Sequence, residues 1–386
     1  MTLLNTTSTQ PPPPLNPAKG QIARVEISGF RSFGPTQSLD LPALTLLVGG
    51  NGTGKSNFLR FFDMLAWMLK AQKLQEFVLH QGGGADLFFA EEAGAPQIRA
   101  ELTLRTATGQ LAYRFALAPV PAGNTVTVVD EAYCCDRSAD APIWQALPGN
   151  GREAELVMAA SPPENQECAR ALVRGLRESR LYQFHDTSPT AALRRGWDET
   201  DNARLRSDGA NLAPVLLNLL NNDFRCYKEI LERIRRVLPS FDDFVLEPQF
   251  GSVNLRWQSR HSDKTFVPHL TSDGSLRLFC LVTLLSMPPE LLPDLLLIDE
   301  PELGLHPYAI ELVGGLMTAA SNHTQIIAAT QSPTLASQVG WENLVVVDQM
   351  NGATQLRRLQ EADVAHWLEK FRLGELWEMN LLGGNP

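Results

Sequence analysis

Apolar and polar positions alternate in blocks along the 386-residue chain. Ile22, Val25 and Ile27 predict a first strand, and Leu44–Val48, apolar except for Thr45, reads as a buried strand. A glycine-rich segment follows, and Asn57–Lys70 then places Phe58, Leu59, Phe62, Leu65 and Leu69 at helical spacing. Between 96 and 129 the period drops to two. Ile98, Ala100, Leu102 and Leu104 alternate with polar residues, as do Leu111, Tyr113, Phe115 and Leu117 beyond a turn at Thr108–Gly109, and Thr125–Val129 is a third such run. These predict half-buried antiparallel strands. Residues 136–165 read as loop, and 166–220 as mainly helical with breaks.

Asp223 to Leu238 predicts an amphipathic helix stopped by Pro239, and Val253, Leu255 and Trp257 a further half-buried strand. From Leu270 onward helices and buried strands alternate: helix 276–286, strand 295–298, helix 308–320, strand 325–329, strand 344–347, a strand near 355–359 and a last helix from Glu361. That alternation predicts an α/β fold. The first twenty residues, with the run Pro11–Pro14, read as an extended tail. No repeat and no sustained heptad pattern appears.

Hydrophobic residues make up 44% and charged residues 20%, which is enough apolar surface for a sizeable core. The net charge of −10 argues against nucleic acid held over the whole surface. A local patch is still open, because eight arginines lie between Arg170 and Arg206. Solvated helix faces are the plainer account of them. The five cysteines have no metal-type spacing and read as reduced thiols. No signal-peptide pattern and no membrane-length apolar run is present, so a soluble cytoplasmic protein is expected.

Gly49-Gly50-Asn51-Gly52-Thr53-Gly54-Lys55-Ser56 fits GxxxxGK[ST] at every fixed position, between a predicted strand and a predicted helix. Glycines there let successive main-chain N–H groups point at phosphate, and the helix N-terminus adds positive potential. Lys55 is expected on the β- and γ-phosphates and Ser56 on Mg²⁺. The run Leu295–Ile298 then delivers Asp299 at the end of a buried strand, where α/β sheets bind ligands. Asp299 is expected to hold Mg²⁺, and Glu300 to polarise an attacking water. A nucleoside triphosphate with Mg²⁺ is therefore expected, with GTP still open on these residues alone.

Asp299-Glu300-Pro301 followed by Leu305-His306-Pro307 resembles the Walker B and D-loop of ABC-type ATPases, and more narrowly the RecF/SMC/OLD-like group. The resemblance extends over Gly29-Phe30-Arg31-Ser32-Phe33, Gly54–Asn57, Phe184-His185-Asp186-Thr187, Ser272–Arg277, Thr330-Gln331-Ser332-Pro333 and the ending from Leu373 to Pro386. It implies an ABC-head P-loop fold and ATP as the nucleotide, with Asn57 joining the nucleotide site. It also implies a signature at Ser272–Ser275, where Ser272 and Gly274 touch the ATP of a second copy. On the residues alone, Ser272 is an ordinary N-cap.

Gln331 stands where ABC transporters carry a switch histidine. It cannot take up a proton at neutral pH, but it can orient a water. Gln81 is a candidate Q-loop residue, Arg31 a candidate neighbour of the nucleotide, and His185-Asp186 a structural or nucleotide-sensing pair. His306 is expected at the D-loop interface.

The separation of Lys55 from Asp299 predicts a division into tail 1–20, core 21–95, an inserted lobe of strands then helices over 96–245, and core 246–386. Three readings of function follow from the resemblance. One is a RecF-like, dimerising ATPase of DNA repair and genome maintenance, with DNA as a candidate partner. The second is a defence ATPase gating a separate effector or nuclease, and the third a nucleotide-sensing scaffold with little turnover.

Overall fold

Leu44–Val48 is buried at every residue and lies inside the larger of two sheet systems. The architecture is that of a computed structural model, which describes residues 20–70, 72–90, 96–137, 141–149, 151–160 and 167–384. The expected tail, apart from Gly20, lies outside the described residues, as do part of the 136–165 loop and the terminal 385–386.

The first half of the chain runs β1 (Gln21–Ser28), β2 (Gln37–Asp40), β3 (Leu44–Val48), α1 (Lys55–Lys70), α2 (Leu74–His80), β4 (Ile98–Thr106), β5 (Gly109–Val120), β6 (Thr125–Cys134), β7 (Trp144–Ala146), α3 (Leu156–Ala159), α4 (Glu167–Arg177) and β8 (Ser179–Tyr182). It continues with β9 (Trp197–Asp198), α5 (Leu212–Asn222), α6 (Phe224–Val237), β10 (Phe241–Val245), β11 (Ser252–Val253), β12 (Arg256–Ser259), β13 (Ser262–Phe266) and α7 (Asp273–Ser286). The last part holds β14 (Leu295–Asp299), α8 (Pro307–Ala320), β15 (Gln325–Thr330), α9 (Pro333–Ala336), β16 (Leu344–Met350), β17 (Ala353–Arg358), α10 (Glu361–Leu368) and α11 (Leu373–Glu378).

The main sheet has the order β17-β16-β3-β15-β14-β8. All its pairings are parallel except that of β17 with β16. Its central strands are buried and mostly apolar because both faces are covered. Leu46, Val48, Leu296, Ile298, Ile326 and Ala328 enter one core with α7 and α8, whereas Leu47, Leu295, Leu297, Ile327 and Ala329 enter the other with α1. Successive residues of one strand thus feed opposite cores, as the pleat requires.

The second sheet, β2-β1-β4-β5-β6-β7, is antiparallel throughout. The strands expected at 98–129 are present, but they do not form a separate lobe. β4 pairs with β1, so they extend the N-terminal core. Period-two alternation fixes which face of a strand is buried and leaves its neighbour open.

The expectation for 166–220 also needs correction. α4 ends at Arg177, β8 joins the main sheet beside β14, and only short elements occur between β8 and α5. The stretch expected as a separate lobe, 96–245, is therefore shared among both sheets and a helical layer. That layer, with α5, α6, β10, β12, β13 and α7, packs around aromatic rings: Trp257 stacks on Phe266 at 4.3 Å and Phe241 meets Phe244 at 4.9 Å. Val253 and Trp257, expected on one strand, lie on β11 and β12 of different sheets. Among the described residues no helix is long and apolar enough to cross a membrane.

Candidate functional site

β3 ends at Val48 and α1 begins at Lys55, so Gly49–Gly54 is the turn between them. Gly54 has φ +105°, and a Cβ there would lie 2.0 Å from Thr354 Oγ1 and 2.7 Å from Ser32 Oγ. Both the backbone region and the space therefore demand glycine. Thr354 Oγ1 donates to the Thr53 carbonyl at 2.7 Å, pinning the loop from β17. Lys55 is buried and its Nζ donates to the Gly49 and Gly50 carbonyls at 2.7 and 2.6 Å. Burial lowers the pKa of the Lys55 ammonium, and the nearby Glu300, Asp299 and Glu302 act against that shift.

The parallel register of β14 between β15 and β8 carries Asp299 to the same strand-end edge as the loop. Asp299 Oδ1 accepts from Ser56 Oγ at 3.1 Å, and Oδ2 accepts from Gln183 Nε2 at 2.9 Å. Glu300 then leaves the strand with φ +47°, its N–H still donating to the Ala329 carbonyl at 2.9 Å. A left-handed residue here turns the glutamate off the strand line. Its Oε1 accepts from Gln331 Nε2 at 2.8 Å. Glu302 is mostly buried, which raises its pKa, and its Oε1 accepts from the Gln331 N–H at 2.7 Å. His185 Nε2 lies 3.2 Å from the Asp299 carbonyl and 4.0 Å from Glu300 Oε2.

The donor set fits Mg²⁺. Ser56 Oγ and Asp299 Oδ1 are hard oxygens 3.1 Å apart. Adjacent ligands of an octahedral Mg²⁺ at about 2.1 Å lie roughly 3 Å from one another. Among the described residues no cluster of three or more His, Cys, Asp or Glu could cage a metal. The remaining positions would fall to water and phosphate, as Mg²⁺ commonly uses them.

Ser272 and Gly274 lie elsewhere. Ser272 caps α7, its Oγ accepting from the Ser275 N–H at 3.2 Å, and a Cβ on Gly274 would come 2.5 Å from the Gly304 carbonyl. Ser272 is exposed. Two arginines secure this end of α7. Buried Arg194 donates to the carbonyls of Thr187, Pro268 and Thr271 and to Asp273 Oδ1. Arg277 donates to the Phe184, His185 and Leu303 carbonyls at 3.0, 2.9 and 3.3 Å. The structure thus groups the signature-like turn with 184–187 and 303–304, and groups the P-loop with Asp299, Glu300 and Gln331.

Gln81 is not at Asp299. It accepts from Arg31 Nη2 at 2.6 Å, and Arg31 Nη1 reaches Asn57 Oδ1 at 3.5 Å. Gln183 takes the place beside Asp299, and the sequence reading missed it together with Glu302, Thr354 and Arg194. Gln183 directly follows a strand of four residues, Ser179–Tyr182, which is too short for a periodic signal. Its position just before Phe184-His185-Asp186-Thr187 was the available hint. His306 caps α8, its Nδ1 accepting from the Tyr308 N–H at 3.4 Å. All five cysteines are free.

A family model described as "AAA domain, putative AbiEii toxin, Type IV TA system" matches residues 170–337. No curated protein matches the chain. Among solved structures, an SMC head bound to the C-winged helix domain of ScpA is similar at TM-score 0.58 and 15% identity, over 88% of this chain and 98% of that one. An Smc head with an extended coiled coil, bound to the C-terminal domain of ScpA and derived from Pyrococcus furiosus, gives 0.56 and 14%, over 91% and 99%. One with a coiled coil and joint from Pyrococcus yayanosii gives 0.53 and 13%, over 91% and 99%. At these identities the likeness is one of fold: the chain is an α/β protein of the P-loop NTPase class with the fold of SMC-head, ABC-type ATPase domains.

Proposed function

We propose that the chain binds ATP with Mg²⁺ and hydrolyses it as an ATP-clamped dimer. The observation that carries this reading is the Ser56–Asp299 hydrogen bond, which brings two hard-oxygen ligands together directly beside Glu300. Main-chain N–H groups of Gly49–Ser56 and the Lys55 ammonium bind the phosphates. Ser56 and Asp299 would hold Mg²⁺, which would supply neutralisation of the phosphate charge. Gln183 orients Asp299. Glu300 polarises the attacking water, and Gln331 holds the Glu300 carboxylate in place through a neutral amide. An amide steadies without proton transfer, which favours slow turnover. Exposed Ser272 and the α7 N-terminus offer donors to the nucleotide of a second copy. Two copies closing on ATP suit a RecF-like role in DNA repair and genome maintenance, in the cytoplasm, as the sequence resemblance implies.

The test is phosphate release with ATP and Mg²⁺ for the native chain and for Glu300→Gln. Equal rates for the two would overturn hydrolysis and leave a nucleotide-sensing scaffold. The family model described as a putative toxin of a Type IV system favours a second reading, an ATPase that gates a separate effector in defence. Duplex DNA separates the two roles. A salt-sensitive gel shift with ATP supports genome maintenance, and no shift at low salt favours the gating role.

A further inference from the structure

A cavity of about 650 Å³ lies between α1 and β8, on the side of β8 away from β14. Its floor is Ser179, Arg180 and Leu181 of β8. One wall is α1 with Asp63, Ala66, Trp67 and Lys70, and the other is Arg206, Ser207 and Asp208. β8 is the edge strand of the main sheet. The Glu178 carbonyl accepts from the N–H groups of Asp294 and Leu295 at 3.1 and 3.3 Å, so residue 178 turns its main chain toward β14. By the two-residue period, Ser179 and Leu181 turn theirs outward, into the cavity. On that outer side Gln183 N–H donates to the Ser207 carbonyl at 3.0 Å, while no such bond is made by Leu181 among the described residues. An open strand edge of this kind is a template for another strand.

The charge of the cavity selects what can dock. Lys70, Lys73, Arg180 and Arg206 line it against Asp63 and Asp208, in a chain whose net charge is −10. Lys70, Lys73 and Arg206 pair with Glu178, Glu76 and Asp201 in partly exposed contacts, of the kind that contribute little and exchange readily. Arg180 is in no ion pair among the described residues. These cations repel a basic strand and attract an acidic one. The chain's own residues 1–19 contain no Asp or Glu, so they lack the complementary charge.

We propose that this cavity takes an extended peptide segment of a partner protein with alternating acidic side chains, which adds to β8 as a further strand. The added strand hydrogen-bonds to the outward groups of Ser179 and Leu181, and its acids meet Arg180, Arg206 and the two lysines. It reaches Gln183, which also lines the cavity and whose amide holds Asp299. The inference does not rest on ATP hydrolysis.

The experiment is fluorescence polarisation of the full chain without nucleotide, using a labelled peptide that alternates Asp and Val. The expected result is saturable binding that a Lys/Val peptide lacks. N-methylation of alternate peptide amides should abolish it, since strand pairing needs those N–H groups. Arg180→Glu with Arg206→Glu should weaken binding about tenfold or more. An unchanged thermal melt by circular dichroism shows that this variant is folded. Lys55→Ala should keep peptide binding even if it loses ATP, so failure here is distinct from failure of the ATPase reading. Absence of binding, or equal binding of the N-methylated peptide, would overturn the proposal. So would tighter binding of oligothymidylate that the double reversal abolishes, which would make the cavity a nucleic-acid groove.

Discussion

The side-chain amide of Gln331 donates to Glu300 at 2.8 Å while its main-chain N–H donates to Glu302 at 2.7 Å. One residue at the end of β15 therefore fixes both acids that follow Asp299. Removing that side chain frees Glu300 without touching the P-loop. Gln331→Ala should lower turnover about tenfold with little change in KM for ATP, as expected for a misplaced catalytic group. Steady-state phosphate release reads both constants, and a rise in KM alone would contradict the assignment.

Replacing Glu300 itself removes the carboxylate and keeps the shape. Glu300→Gln should slow hydrolysis by about 10²–10³-fold. With ATP present it should run as a dimer on a sizing column, and Lys55→Ala should prevent that. A Glu300→Gln chain that stays monomeric with ATP would remove the role given to Ser272 and Gly274.

The two glutamines, Gln81 and Gln183, make opposite predictions. Gln183 holds Asp299 Oδ2, whereas Gln81 is bonded to Arg31. Gln183→Ala should raise the Mg²⁺ concentration needed for half-maximal activity by about tenfold, a typical loss when a partner of a metal ligand is removed. Gln81→Ala should leave that concentration unchanged. Magnesium titrations of the two variants decide the matter.

Arg194 is buried and ties 187, 268, 271 and 273 together. Arg194→Ala leaves several carbonyls and Asp273 without their donor. The loss should be about 3 kcal/mol of stability, read as a lower urea midpoint. A change within error would mean that water replaces the guanidinium at no penalty.

Glu131 is a buried carboxyl that accepts from Tyr113 Oη at 2.8 Å and from the N–H groups of Glu155 and Leu156. Burial raises its pKa above 4.5 despite those bonds. The folded state therefore holds the proton more tightly than the unfolded chain. The stabilisation from that proton is complete below 4.5 and is lost as pH rises through the folded value. Urea unfolding followed from pH 4.5 toward neutrality should show a decline that Glu131→Gln flattens. Parallel curves for the two proteins would exclude Glu131 as the source.

The P-loop and the acidic strand end were legible because their chemistry sits in contiguous residues with fixed spacing. β3, β14 and β15 were legible because strands covered on both faces are mostly apolar, with Thr45, Asp299, Gln325 and Thr330 as their polar members. What stayed hidden depends on distant neighbours. Gln183 meets Asp299 across 116 positions of chain, and Arg277 meets Phe184 across 93. No local pattern encodes those encounters. β8 escaped notice because Ser179-Arg180-Leu181-Tyr182 is short and carries a charge, as an edge strand can. β4–β6 were recognised as strands, yet alternation could not say that β1 is their neighbour.

Arg277 has a kinematic consequence. Its guanidinium bridges α7, the 184–185 carbonyls and Leu303, while a Cβ on Gly304 would come within 2.4 Å of its Nη1. The tip of α7 and the turn after Asp299 are thus coupled like two ends of one lever, with the guanidinium as pivot. The Leu303 N–H in turn donates to the Glu300 carbonyl at 3.1 Å, so the path from α7 to Glu300 is made of directional bonds that meet at one side chain.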